Sequence, residues 1–261
     1  MPLNTGIGSL VLRGMVCGLL AGLVAGLFAF VVAEPVIDQA IAREHQRALA
    51  AAAARGGTMA PEVFSRPTQH TGLVVATATI GTAFGGLFGM LFYGLARRRR
   101  EGSGWSLALT LAGALFIGYF LVPFLRYPAN PPGAGDPATI DQRSSATLLA
   151  ALIGLVAVAA AWRLGALVRT KYVFEPLHHL AAVLVFVAIV GTGYSFLPSN
   201  TDPIQVPATL LWNFRMLSVA TQLLLWGTLG VTFGLWVEWS ARTAGSTAAR
   251  RQIPSVGASS V

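Results

Sequence analysis

Six long runs of apolar residues dominate the hydrophobic pattern of this chain. They cover about 10–33, 71–96, 105–125, 146–164, 177–197 and 210–239. A helix needs roughly 20 apolar residues to cross the hydrocarbon core of a bilayer, and each run is close to that length or longer. The pattern therefore predicts an all-α, polytopic membrane protein with about six transmembrane helices.

Composition supports this class and limits the number of domains. Hydrophobic residues make up 54% of the chain and charged residues only 11%, whereas about a quarter of the residues in a typical soluble domain are charged. Little length remains for a soluble domain, so we expect residues 1–261 to form one membrane domain with a disordered tail from about 243 to 261. The single cysteine, Cys17, leaves neither a disulfide framework nor a cysteine-based metal site within the chain.

Basic residues are distributed unevenly between the two sides of the membrane that this layout defines. Eleven of them lie in the N-terminal segment, the even-numbered connections and the tail, and the densest group is the arginine block 97–100. The positive-inside tendency then places both termini in the cytoplasm. Beside a span, topology explains such a block better than nucleic-acid binding does. The outer connections are mildly acidic, which attracts cations.

A weak internal repeat supports three helical hairpins that open toward the same outer face. YFLVP at 119–123 and YSFLP at 194–198 each precede a loop with an Asp-Pro pair, and FVVAEP at 30–35 is a fainter copy. In the first run, glycines recur every four residues at 14, 18, 22 and 26. Such a stripe of small residues is typical of helices that pack closely in lipid.

The outer connections carry candidate metal ligands. Glu34, Asp38 and His45 share one face of a predicted helix over 34–54, which is either a solvated surface or a row of ligands for a divalent cation. His70, Asp136, Asp141 and Asp202 lie in or beside the same outer connections. Carboxylate and imidazole groups suit several divalent metals, although an aspartate before proline, such as Asp136, is also typical of a turn.

A proline-rich connection over 119–143 is expected to be stiff, because proline fixes φ and removes a backbone donor. Within it, Tyr127, Pro128, Asn130 and Pro131 are expected to shape the outer mouth, with Asn130 as a cap or a ligand. Arg215 lies just inside the sixth apolar run. It either extends to the outer interface or pairs with Asp136 or Asp141, because a charge within the membrane is costly.

A histidine pair, His178 and His179, opens the fifth apolar run on the cytoplasmic side. An ion leaving the membrane path would meet these side chains. Since adjacent residues point to different sides of a helix, we treat the pair only as a candidate exit site.

Three stretches resemble a known family. EPVIDQAI at 34–41, LVPFLRYPANPPGAGDPATI at 121–140 and PATLLWNFRMLSVATQLLLWGTLGVTFG at 207–234 are similar to the signature stretches of the CbtA family of bacterial membrane proteins. The resemblance implies cobalt import across the inner membrane, with Co²⁺ as substrate and no tightly bound cofactor. It also implies a small single-span partner, CbtB, that carries a histidine-rich end.

The leading hypothesis is a permease subunit for cobalt or a related divalent cation. A membrane scaffold that binds a partner through its outer loops is the alternative. Either function is compatible with a homo-oligomer. An enzyme is not expected, because the sequence contains neither an HExxH nor a GxSxG motif.

Overall fold

A computed structural model of the chain describes residues 6–56, 64–98, 102–171, 174–199, 204 and 206–251. The elements are α1 (Ile7–Phe28), a π-helical segment (Ala29–Ala33), α2 (Glu34–Ala54), α3 (Arg66–Ala96), α4 (Gly104–Leu115), a second π-helical segment (Phe116–Leu121), α5 (Val122–Arg126), a 3-10 turn (Pro137–Thr139), α6 (Ile140–Lys171), α7 (Glu175–Phe196) and α8 (Ala208–Arg251).

The described residues contain no strand, and six helical stretches are long and apolar enough to cross a membrane. These stretches are Ile7–Ala54, Arg66–Ala96, Gly104–Arg126, Ile140–Thr170, Glu175–Phe196 and Ala208–Thr243. The prediction of an all-α polytopic membrane protein is confirmed.

Several helices extend beyond the apolar runs. The last one continues to Arg251, although the sequence indicated a disordered tail from about 243. The added turns are rich in alanine and arginine, which favour helix even without apolar packing. Residues 252–261 of the predicted tail lie outside the described residues.

The glycine stripe of α1 packs backbone against backbone on α3. A Cβ atom placed on Gly14 would lie 2.0 Å from the carbonyl oxygen of Gly85, and one on Gly18 would lie 2.1 Å from that of Gly81. No side chain fits at such distances, so only glycine permits this approach. The register also shows that α1 and α3 are antiparallel.

Helix α8 packs between α1 and α4. A Cβ on Gly230 would lie 2.6 Å from the Cβ of Ala112, so small residues again allow close approach. Arg13 of α1 donates a hydrogen bond to Ser240 Oγ of α8 at 3.1 Å, which places both terminal segments at one end of the bundle. We call this the terminal end and the opposite one the loop end.

Helices α6 and α7 form a peripheral pair. A Cβ on Gly154 of α6 would lie 2.1 Å from the carbonyl oxygen of Gly118 in the second π segment, and α7 packs along α6. None of the residues in α7 is buried. The third predicted hairpin, spans 177–197 and 210–239, is therefore not a packed pair, because the packing faces of α8 are taken by α1 and α4.

The three repeat copies differ in how the helix meets its proline. Proline lacks an N–H and clashes with the carbonyl oxygen four residues earlier, and a π turn relieves both problems locally. A π segment precedes Pro35 and another precedes Pro123, so the helix continues in both cases. Before Pro198 the helix instead ends at Phe196. The first copy alone continues into a long helix, α2, which carries acidic residues.

Candidate metal centre

Four polar side chains meet at the loop end where α1 passes into α2. Glu34 is the first residue of α2 and is 7% exposed, and Asp38 follows one turn later. Arg66 and His70 lie one turn apart at the start of α3, and α1 holds this helix close by through the glycine contacts. Helix packing thus brings two carboxylates, a guanidinium and an imidazole together.

The contacts within this group are direct. Nη2 of Arg66 donates hydrogen bonds to Oε1 of Glu34 and Oδ1 of Asp38, and Nε2 of His70 lies 3.0 Å from Oε1 of Glu34. The ring of Phe30 meets the His70 ring edge to face, with centroids 5.5 Å apart. The aromatic contact fixes the imidazole in an orientation that points toward the carboxylates.

The donor atoms have the spacing of a metal site. One carboxylate oxygen each from Glu34 and Asp38 and one imidazole nitrogen from His70 lie within 4.8 Å of one another. Two carboxylates and an imidazole form a mixed oxygen and nitrogen set that suits divalent transition metals. We call these three residues the donor cluster. In this structure the positive charge that faces the two carboxylates comes from Arg66.

The remaining candidate of the first outer connection, His45, does not join the donor cluster. His45 shares α2 with Glu34 and Asp38 but lies exposed two turns farther along. The predicted row of three ligands on one helix is thus replaced by two residues of α2 and one of α3. A cross-helix partner, His70, completes the set.

Asp136 and Asp141 also lie at the loop end but are not part of the donor cluster. Oδ1 of Asp136 accepts a hydrogen bond from the backbone N–H of Ala138 at 2.9 Å, and its carbonyl oxygen accepts one from the Thr139 hydroxyl. These bonds match the turn interpretation of Asp136. Asp141 is an exposed residue in the first turn of α6.

The proline loop, residues 127–136, is held by hydrogen bonds to neutral oxygen atoms. The Tyr127 hydroxyl donates to the carbonyl oxygen of Pro198 at 2.6 Å. Arg126, just before the loop, donates to the carbonyl oxygens of Leu197 and Pro198 at 3.0 and 3.3 Å. The ends of two repeat copies are thereby joined, and we call this hydrogen-bonded loop the frame.

Arg215 of α8 binds the same loop from the interior. Its Nε donates to the carbonyl oxygen of Ala129 at 3.2 Å and its Nη2 donates to Oδ1 of Asn130 at 3.0 Å. The described contacts of Arg215 include no ion pair with Asp136 or Asp141. Of the two alternatives for this side chain, they match its extension toward the loop end. Asn130, expected as a cap or a ligand, here accepts a hydrogen bond from the Arg215 side chain.

Pro128 and Pro131 lie within the proline loop, and Pro131 is buried. An open cavity of about 440 Å³ lies between the loop, α5 and α6. Its lining includes Tyr119, Phe120, Phe124, Tyr127, Pro128, Asn130 and Arg143.

Two further predictions fall elsewhere. His178 and His179 lie at the start of α7, which is the terminal end of the bundle and far from the donor cluster. Asp202 lies outside the described residues.

Arg66 is the residue of this group that sequence reasoning missed. Arg66 and His70 are separated by four residues within one helix start, the spacing that puts two side chains on one face. That signal was present, but nothing in the spacing indicates that this face meets Glu34 on another helix.

The fold and the donor cluster define the class: a helical membrane protein with a candidate site for a divalent cation at one end of its bundle. A family model described as a probable cobalt transporter subunit, CbtA, matches residues 7–238, so the chain belongs to the CbtA family. No curated protein and no solved structure matches the chain.

Proposed function

We propose that this chain is a permease subunit that imports cobalt, or a related divalent cation, across the bacterial inner membrane. The family description supports transport and cobalt. The observation that carries the proposal is the donor cluster, in which a carboxylate pair and an imidazole converge at the loop end of a six-span bundle. In this proposal the loop end faces the periplasm and both termini are cytoplasmic.

Arg66 acts in this proposal as a tethered cation that the incoming metal replaces. Its guanidinium neutralises part of the charge of Glu34 and Asp38, and its side chain is 25% exposed, so it has solvent to move into. With one positive and two negative charges, the group still attracts a divalent ion electrostatically. The metal then takes the position of the guanidinium and gains the His70 nitrogen as a ligand.

The proposal includes a partner subunit. The family is described as a transporter subunit, and the resemblance of the sequence implies a small single-span protein of the CbtB type with a histidine-rich end. Imidazole groups near the loop end would deliver or receive a borderline metal such as Co²⁺ by ligand exchange. The alternative function, a membrane scaffold that transports no ion, is one outcome of the test.

The test is cobalt binding and uptake by the full chain in proteoliposomes, alone and with the CbtB-like partner. Glu34→Gln removes a ligand and should weaken Co²⁺ binding, followed by the visible absorption of the bound metal, by at least about tenfold. The matched control is Asp141→Asn, which removes a loop-end carboxylate outside the donor cluster and should bind as the unaltered protein does.

Two results would contradict the proposal. Equal losses in Glu34→Gln and Asp141→Asn would remove the donor cluster from the site. Absence of cobalt flux from the folded, unaltered chain, with and without the partner, would favour the scaffold.

A further inference from the structure

One face of α8 carries polar side chains deep into the apolar region. Arg215, Ser218, Gln222 and Trp226 follow one another at spacings of three and four residues, so they share a face of this helix. At 1.5 Å per residue, Trp226 lies about 16 Å from Arg215 along the axis. Polar groups within a span are expensive and commonly mark an ion or substrate path.

The contacts of this face place it in the interior of the protein. Its loop end reaches the proline loop through the hydrogen bonds of Arg215 to Ala129 and Asn130. At its inner end the Trp226 ring stacks on Phe84, with centroids 5.6 Å apart, and meets Tyr119 edge to face at 6.3 Å. Tyr119 also lines the cavity beside the proline loop.

Two buried polar atoms on this face are unsatisfied by the rest of the described chain. They are Oε1 of Gln222 and Nε1 of Trp226, which have no hydrogen-bond partner among the described residues. Trp226 is only 4% exposed. The two atoms are an acceptor and a donor one helical turn apart, and a buried water molecule satisfies this kind of pair.

The same face becomes apolar and closed immediately below Trp226. Leu229 and Phe233 are 1% and 0% exposed. The ring of Phe233 meets those of Phe88 and Phe92 with centroids 5.2 and 5.0 Å apart. An aromatic plug of this kind blocks ions because it excludes the water that would accompany them.

We propose that the face from Ser218 to Trp226 lines the loop-end half of a hydrated cation path, and that Phe88, Phe92 and Phe233 form its closed gate. This inference rests on the proposed function and adds to it a route for the ion into the bundle. Gln222 offers the ion and its water shell a neutral amide oxygen. A neutral ligand in the middle of a membrane binds weakly enough to release the ion again, which conduction requires.

The path can be tested without measuring transport. In a Cys17→Ala background, single cysteines at Ser218, Gln222 and Leu229 are exposed to a charged, membrane-impermeant thiol reagent from the loop side. Ser218→Cys and Gln222→Cys should react, whereas Leu229→Cys, in the closed apolar region that begins immediately below Trp226, should not. Leu223→Cys is the control for lipid exposure, because Leu223 is 52% exposed on the outside of the helix.

Cobalt should slow the reaction at Gln222→Cys, since ion and reagent share the path. A rate at Gln222→Cys no greater than those at Leu223→Cys and Leu229→Cys would overturn the inference. Gln222→Leu should also reduce the maximal rate of cobalt uptake at least threefold and leave the half-saturating cobalt concentration unchanged.

The two proposals fail differently. Reaction at Ser218→Cys and Gln222→Cys in a folded chain that moves no cobalt would overturn the permease and leave a water-filled entrance. Cobalt uptake by a chain in which neither cysteine reacts would keep the permease and place its path elsewhere.

Discussion

Arginine plays opposite roles in the donor cluster and in the proline loop, although both lie at the loop end. Arg66 pairs with two carboxylates, whereas Arg126 and Arg215 bind only neutral carbonyl and amide oxygens among their described hydrogen bonds. In the proposed function a metal ion replaces Arg66, because carboxylates bind it strongly. The oxygen atoms around Arg126 and Arg215 carry no such charge, so these contacts would stay in place while Arg66 exchanges.

The largest effect is expected from removing the tethered cation. Arg66→Gln leaves Glu34 and Asp38 without their charge partner, which should cost about 1–3 kcal/mol of folding free energy and raise the affinity for Co²⁺ at least about tenfold. Thermal unfolding in detergent, with and without Co²⁺, measures both, since bound metal should restore the lost stability.

The matched control is Arg55→Gln, which removes an exposed arginine at the C-cap of α2. It lowers the net positive charge of the chain equally but frees no carboxylate. If the two variants bind cobalt equally well, Arg66 does not compete with the metal and only the net charge of the chain matters.

A smaller effect, confined to stability, is expected at the frame. Arg126→Leu removes the hydrogen bonds to Leu197 and Pro198 and should lower the free energy of unfolding by about 1.5–3 kcal/mol, the range for charged donors. Cobalt affinity should stay within about twofold of the unaltered protein because no ligand is touched. Arg126→Lys, which keeps the charge, should recover part of the stability. A tenfold loss of cobalt affinity in either variant would show that the frame also contributes to metal binding, contrary to this comparison.

The smallest effect concerns the contact that joins the two regions. Gly133 has φ +70°, and a Cβ there would lie 2.9 Å from the Cβ of Glu44 on α2. Gly133→Ala should therefore cost the strain of a left-handed residue, about 1–2 kcal/mol, and also push the loop away from α2.

Gly56→Ala is the matched control, because Gly56 has φ +64° and nothing within 4 Å of a Cβ. It carries the strain without the clash. Equal losses of stability in the two variants, measured by unfolding in detergent, would show that the loop and α2 are not in firm contact.

Hydrophobic runs were sufficient to predict the spans, because a membrane helix needs only length and apolarity. Pairing between helices was harder to predict. The glycine stripe of α1 indicated close packing but not its partner α3, and the repeat did not indicate that α8 packs on α1 and α4 rather than on α7. Short-range relations, such as Glu34 and Asp38 one turn apart, follow from helical geometry.

The contacts of Arg66 and Arg215 depend on which helices meet, which the spacing of residues within one helix does not contain. The sequence likewise shows prolines after three of the spans, but it does not predict the π segments that accommodate two of these prolines. The sequence therefore predicted Glu34, Asp38 and His70 as ligands. It also predicted His45, which lies outside the donor cluster, and it did not predict that Arg66 contacts these residues.

The first π segment sets the direction in which Glu34 points. In an uninterrupted α-helix, Glu34 would be rotated about 80° from Gly26, the last member of the glycine stripe, because each residue turns the helix by about 100°. A π turn takes up one additional residue, which cancels nearly all of that rotation and aims Glu34 back at α3. The one additional residue of the π turn thus brings Glu34 into line with the glycine stripe. The side of the helix that packs on α3 and the side that carries the acidic residue therefore face the same neighbour.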